Sequence, residues 1–213
     1  MTAVLERFRA KSPEEQARRR FGLWALAALI VILPLWWFWG APLAAAALRP
    51  LAGLVLGLFS LTGEIRIQDD GAWIVGTELT KGGRPTTFAI SAEVIRRLML
   101  GVPLFAAFMI APPRTGRPIR AALIGLAVLA LLFCFGLAGV VWGELAPQLN
   151  PSLAGAGMAP AGGYDQPALH PFVAQIALLA RYMGLSVAPL IAAVILWGFL
   201  NPKGLETLVA EIR

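Results

Sequence analysis

Four side chains in this sequence stand where charge could do work: Arg96, Arg97, His170 and Arg181. Arg181 lies inside a long apolar run that opens at Pro171. An ionisable residue within a membrane-length helix is a functional candidate by default. Arg96 and Arg97 begin another apolar run, and His170 stands just before Pro171. Three guanidinium groups near one membrane face could together hold an anionic tail, a lipid head group or a partner's carboxylates. Glu93, Glu144 and Asp165 are the available counter-ions. The blander reading puts the membrane surface near Arg181, with residues 171–180 projecting above it. Arg96 and Arg97 then snorkel to the same surface. His170, at a loop–helix junction, fits a solvated residue or a helix cap as well as a proton-linked one.

Other chemistries find little to work with. One cysteine, Cys134, and one histidine exclude an intramolecular disulfide and a thiolate-based metal site. As a nucleophile, Cys134 needs a base and water. His170 would lie roughly 14 Å away in depth at 1.5 Å rise per residue. A buried membrane cysteine is ordinarily a small hydrophobe. There is no Walker loop, no metalloprotease helix motif and no Gly-x-Ser-x-Gly. Nor do the two halves read as an inverted repeat with paired broken helices. No catalytic, cofactor-binding or metal-binding residue is therefore expected. Gly101 and Pro103 in one apolar run, and Gly136 and Gly139 in another, are close-packing residues.

The elements that must carry these residues follow from composition. The chain is 58% hydrophobic and 14% charged, against about 25% charged for an average soluble domain. The apolar surplus needs lipid as a second solvent. The net charge is +6, but the basic residues sit at the edges of apolar runs. That is a topology signal, and no basic stripe interleaved with aromatics suggests nucleic acid.

Residues 1–20 form a basic cytoplasmic segment, with Ser12 as N-cap and Pro13 at the first helical position. Residues 21–39 are a first span whose far end carries Trp36, Trp37 and Trp39, an interfacial aromatic belt. A cleaved signal peptide is the rival reading of this segment, because Arg18–Arg20 resemble a twin-arginine start. The apolar run is longer than a usual signal core. Arg49-Pro50 interrupts residues 41–62 and argues for an interfacial helix there. Residues 63–90 alternate polar with apolar between turns at Asp69-Asp70-Gly71 and Lys81-Gly82-Gly83-Arg84-Pro85. They read as a three-stranded antiparallel meander, which needs a neighbour to pack on, helix 41–62 being nearest. Further spans are expected at about 93–112, 121–143 and 178–200. A Gly/Pro-rich loop without Lys or Arg covers 144–170, and a tail covers 201–213.

Charge placement orients the whole. With the N-terminus inside, eleven of eighteen Lys and Arg residues fall in the two tails and the 112–120 loop. The glycine-rich loop falls outside, as the positive-inside rule requires. The expectation is a membrane all-α domain of about four transmembrane helices in a bacterial inner membrane. Both termini are cytoplasmic, and a small extracytoplasmic β-element follows an interfacial helix.

The order of these features, with Gly101-Val102-Pro103-Leu104-Phe105-Ala106-Ala107, Pro113-Arg114, Arg181-Tyr182, Pro189, Leu196-Trp197 and Leu200-Asn201, resembles the exosortase H-associated membrane proteins. The resemblance runs from about residue 21 to 203. It departs before Gly101, where Ile95-Arg96-Arg97-Leu98-Met99-Leu100 replaces the Asn-Pro and Tyr-Gly pairs the family tends to carry. It implies a bacterial inner-membrane accessory protein beside an exosortase, a membrane transpeptidase-like enzyme that processes proteins with a C-terminal sorting tail. Two functions of different class follow. One is a non-catalytic accessory or assembly subunit with an exosortase-like membrane partner and no cofactor. The other is a stand-alone small membrane enzyme or transporter using the outer-face arginines and His170.

Overall fold

A computed structural model describes residues 13–150 and 164–209. Ser12, the expected N-cap, and residues 151–163 of the glycine-rich loop lie outside these residues. The chain begins with α1 (Pro13–Leu35), a π-helical turn (Trp36–Gly40) and α2 (Ala41–Gly57). Together they form a continuous helix, Glu15–Gly57, of 43 residues. The expected boundary between a span at 21–39 and a separate helix at 41–62 is absent, because the chain stays helical through the π turn and through Arg49-Pro50. The π turn has a local cause. The Trp36 indole folds over Gly40, where a Cβ would come within 2.5 Å of the ring. Helix α2 also ends earlier than expected, and Ser60 (φ 57°) turns the chain into the first strand.

The expected meander is present as β1 (Leu61–Ile67), β2 (Trp73–Lys81) and β3 (Arg84–Ile90), in the order β1-β2-β3. Lys81 pairs with Arg84 across Gly82 (φ 59°) and Gly83 (φ 73°). Positive φ at both central residues gives the turn that matches strand twist. Ile65, Val75 and Phe88 align across the sheet, and so do Ile67, Trp73 and Ile90. Most of these face a core that also contains Ala45 and Ala52 of α2. The sheet thus packs on α2, as expected. It also packs on α5 (Pro118–Leu149), where the Trp73 ring meets Phe133 edge-on at 5.9 Å.

The expected span at 93–112 is broken. Ser91 caps α3 (Ala92–Leu98), its Oγ accepting from the Val94 amide, and α4 (Gly101–Ile110) starts anew after a turn. Pro103 lacks an N–H and suits the first turn of a new helix rather than the interior of a long one. Ten residues of α4 rise only about 15 Å, half a hydrocarbon core. The last apolar stretch is interrupted too. Helix α6 (Pro171–Tyr182) passes through a π turn (Met183–Val187) into α7 (Ala188–Leu200) with a 61° bend. The two interruptions meet: a Cβ on Gly101 would strike the Pro189 carbonyl, and Gly136 of α5 lies against Gly184. The sequence shows no pair of broken helices, yet the fold contains one. Among the described residues, two helices are long and apolar enough to cross a membrane, or three if the bent pair is one span. A short helix, α8 (Pro202–Val209), closes the described chain.

Contacts at the two ends of the bundle set the path of the long helix. Phe21 stacks near Phe108 and Trp197, with centroids 5.8 and 5.0 Å away. At the other end, the Trp142 indole donates to the Phe59 carbonyl at 2.9 Å. Phe105, one turn from Phe108, rests on Gly125. From Gly125 to Trp142, α5 rises roughly 26 Å, whereas from Phe21 to Gly57 the long helix covers roughly 54 Å. The long helix therefore does not run straight alongside α5 over its whole length.

Candidate functional site

The four candidate residues lie on two helices, Arg96 and Arg97 on α3, and His170 and Arg181 at opposite ends of α6. Arg181, in the last turn of α6, forms an ion pair with Glu144 of α5, their side chains being 28% and 36% exposed. Gly143 makes room for it. A Cβ there would fall against Arg181 Cβ and 2.8 Å from the Ala177 carbonyl oxygen. The guanidinium carbon of Arg181 also lies 5.8 Å from the Tyr182 ring centroid, and its Nε is buried without a hydrogen-bond partner. Arg97 pairs with Glu93 one turn away at 2.5 Å, with both side chains more than half exposed. Arg96 points elsewhere, its guanidinium carbon 5.7 Å from the Trp37 ring centroid, a cation–π contact. His170 caps α6: its Nδ1 accepts from the Phe172 amide at 3.3 Å. No hydrogen bond or ion pair joins any two of the four.

Of the three counter-ions visible in the sequence, Glu93 and Glu144 neutralise arginines. Asp165 does something different, which sequence reasoning missed. Its carboxylate accepts from the amides of Gly82 at 3.1 Å and Gly83 at 2.8 Å, and its own amide donates to the Thr80 carbonyl at 2.9 Å. Gln166 adds to the clamp. Its Oε1 accepts from the Thr80 amide at 3.1 Å, and its Nε2 donates to the Glu78 carbonyl at 3.3 Å. Strand β1 pairs with β2 only as far as Thr77, so Asp165 and Gln166 occupy the edge that β1 leaves open. A few residues later, Asn150 Nδ2 donates to the Leu169 carbonyl at 2.8 Å and ties this loop to the end of α5. The two glycines needed for the turn thus also expose adjacent amides as an anion-binding concavity.

Those hydrogen bonds, that of Gly83 foremost, hold the Asp165 carboxyl below the ordinary aspartate range. A depressed folded-state pKa stabilises the docked loop at pH above the undocked value, ~3.9. That contribution is lost as pH falls through the lowered value. We expect hydrogen-exchange protection of the Gly82 and Gly83 amides to be full near neutrality and to fall selectively below pH ~4. Asp165→Asn should reproduce the loss at neutral pH. Protection unchanged in that variant would show that the carboxylate does not hold the hairpin.

Cys134 is fully buried in the core, which gives it the packing surroundings of a small hydrophobe. Among the described residues, no group of three or more His, Cys, Asp and Glu side chains could hold a metal. Gly101, Gly136 and Gly139 have the expected close-packing role, Gly139 lying against Ala180. Gly125 and Gly143, which read from sequence as ordinary residues, are at least as tightly packed. An apolar cavity of about 320 Å³ opens where the two helix interruptions meet the long helix. Trp36, Leu98, Met99, Gly101, Phe133 and Pro189 are among its walls.

No curated protein and no solved structure matches this chain. One family model does, that of the exosortase H-associated membrane proteins, and it covers residues 15–204. The match takes in both interrupted helices, the sheet and the Arg181–Glu144 pair, and on it the chain belongs to the exosortase H-associated membrane protein family.

Proposed function

We propose that this chain is a non-catalytic accessory or assembly subunit of a bacterial membrane protein-sorting system, acting beside an exosortase-like enzyme. The observation that carries this reading is how the polar side chains are used. Glu144 and Arg181, Asp165 and Gln166, Asn150, and Trp142 each fasten one part of the chain to another. Their combined effect is to fix a small sheet rigidly against two long helices. A subunit that presents a surface needs such rigidity, whereas a catalyst needs convergent free groups. The family's description by its association with exosortase points the same way.

On this reading the sheet and the segment that follows α5 face the periplasm, both termini are cytoplasmic and the membrane is the inner one. The departure of the long helix from the line of α5, with Arg49-Pro50 exposed in α2, supports an interfacial position for α2. Arg96 and Arg97, on the short helix α3 beside the sheet, are the partner-facing cations. Arg181, paired with Glu144, and the exposed His170 are further candidate contacts for a partner or an anionic ligand.

One tagged protein tests both parts. Extracted from its native membrane in mild detergent, it should bring down a membrane transpeptidase or protease in stoichiometric amount. A reporter inserted at Gly82-Gly83 should read periplasmic. Elution alone and homogeneous would count against the accessory role, and a cytoplasmic reporter would overturn the topology.

A further inference from the structure

Arg49 of α2 and Glu64 and Arg66 of β1 surround an open groove of about 890 Å³, whose apolar walls include Pro50, Leu54 and Ile65. All three charged side chains are exposed. None of them forms an ion pair or hydrogen bond with another described residue, in contrast to Arg19, Arg97 and Arg181, each of which has a carboxylate. Two guanidinium groups and a carboxylate share one groove and leave their charges unsatisfied by the protein.

The helix beside the groove has a second unusual face. Leu43, Leu54 and Leu58 are 72%, 73% and 79% exposed, and they lie opposite the buried Ala41, Ala45, Ala52 and Leu56. Their spacing puts them on one stripe of α2, with Arg49 on the flank between the stripe and the sheet. An apolar stripe beside a cationic flank is the pattern of a helix lying in a membrane interface.

We infer that this groove binds the head group of a phospholipid bearing a primary ammonium, phosphatidylethanolamine in class. Arg49 and Arg66 hold its phosphate, Glu64 its ammonium, and the acyl chains run along the leucine stripe. The charge pattern selects this lipid. Guanidinium groups bind phosphate by paired, charge-assisted hydrogen bonds. A purely anionic head group would leave Glu64 facing negative charge. A choline head group cannot donate a hydrogen bond to it. The inference rests on the interfacial placement of α2 proposed above.

The test uses the purified full chain in mild detergent, titrated separately with phosphatidylethanolamine, phosphatidylcholine and phosphatidylglycerol. Retained lipid is counted by native mass spectrometry. Phosphatidylethanolamine should be retained in preference to the other two. The double variant Arg49→Gln, Arg66→Gln should bind it about tenfold more weakly or worse, the scale of losing charge-assisted hydrogen bonds. Glu64→Gln should abolish the preference for ethanolamine over choline while keeping phosphate-dependent binding. Equal retention by the wild type and the double variant would overturn the site, as would a preference that Glu64→Gln leaves intact. A fluorophore on Leu54→Cys separates the two layers of the argument. Quenching by brominated lipid without head-group selectivity overturns the lipid site alone, and no quenching overturns the placement of α2 with it.

Discussion

Trp73→Ala should be the most damaging single truncation outside the helices. Trp73 is 1% exposed, sits in the row with Ile67 and Ile90, and meets Phe133 of α5 edge-on. Removing a buried tryptophan costs about 3–5 kcal/mol, in lost transfer energy and in the cavity left behind. For a chain of this size, each kcal/mol moves the melting temperature by ~2–4 °C. A fall on the order of 10 °C in detergent is therefore expected. Trp73→Phe, which keeps an aromatic ring against Phe133, should recover a good part of it. The loss should be selective as well. Cross-links between the sheet and α5 should fail while those between α1 and α4 persist, because the latter pack in a separate core around Phe21, Phe105 and Trp197. A Trp73→Ala protein that melts like the wild type would mean that the sheet is not seated on α5.

Gly143→Leu tests the other large interface. Any side chain at Gly143 collides with Arg181 and with the Ala177 backbone. Backbone cannot rotate away as a flexible side chain can. Overpacking costs about 1–3 kcal/mol where the neighbours can shift. Here it also separates Arg181 from Glu144, leaving two partly buried charges apart. The expected result is a drop in folded yield and loss of a disulfide engineered between α5 and α6. Gly143→Ala should show the same change at smaller amplitude. Gly22→Leu is the control, since a Cβ at Gly22 meets nothing within 4 Å. Equal behaviour of Gly143→Leu and Gly22→Leu would show that α6 does not pack closely on α5.

The sheet was readable from the sequence because its information is local. Asp69-Asp70-Gly71 and Gly82-Gly83 supply the turns, and alternation over a few residues supplies the faces. The apolar runs 21–39 and 121–143 were readable from their length for the same reason, but the continuation of the first into α2 was not. What escaped depends on contacts between distant segments. Arg49-Pro50 looks like a stop in a window of the sequence, but an exposed Pro–Arg step is tolerated when the neighbouring turns are held against a sheet and α5. The break between α3 and α4 has a local trace in Pro103, but its position is set by where Gly101 meets Pro189. For the candidate site, the sequence offered Arg181 with three possible carboxylates. The choice of Glu144 required knowing that Gly143 lets α6 approach. The roles of Asp165 and Gln166 were invisible, since nothing near them marks a hairpin more than eighty residues earlier as their partner. The three arginines that side-of-membrane counting groups are each engaged separately, Arg97 with Glu93, Arg181 with Glu144 and Arg96 with the Trp37 ring. Lying on the same side fixes depth but not azimuth around the bundle.

The continuity of the long helix has one more consequence. At 43 residues it is about 65 Å long, twice the hydrocarbon thickness of a bilayer. With α2 at the interface, the spanning part α1 meets a thinner membrane by tilting further and a thicker one by standing up. The sheet rests on α2, the second part of the same helix, so we expect a change in that tilt to lift or lower it. Placed as proposed above, the chain would convert the local thickness of its membrane into the height at which it offers the sheet to a neighbour.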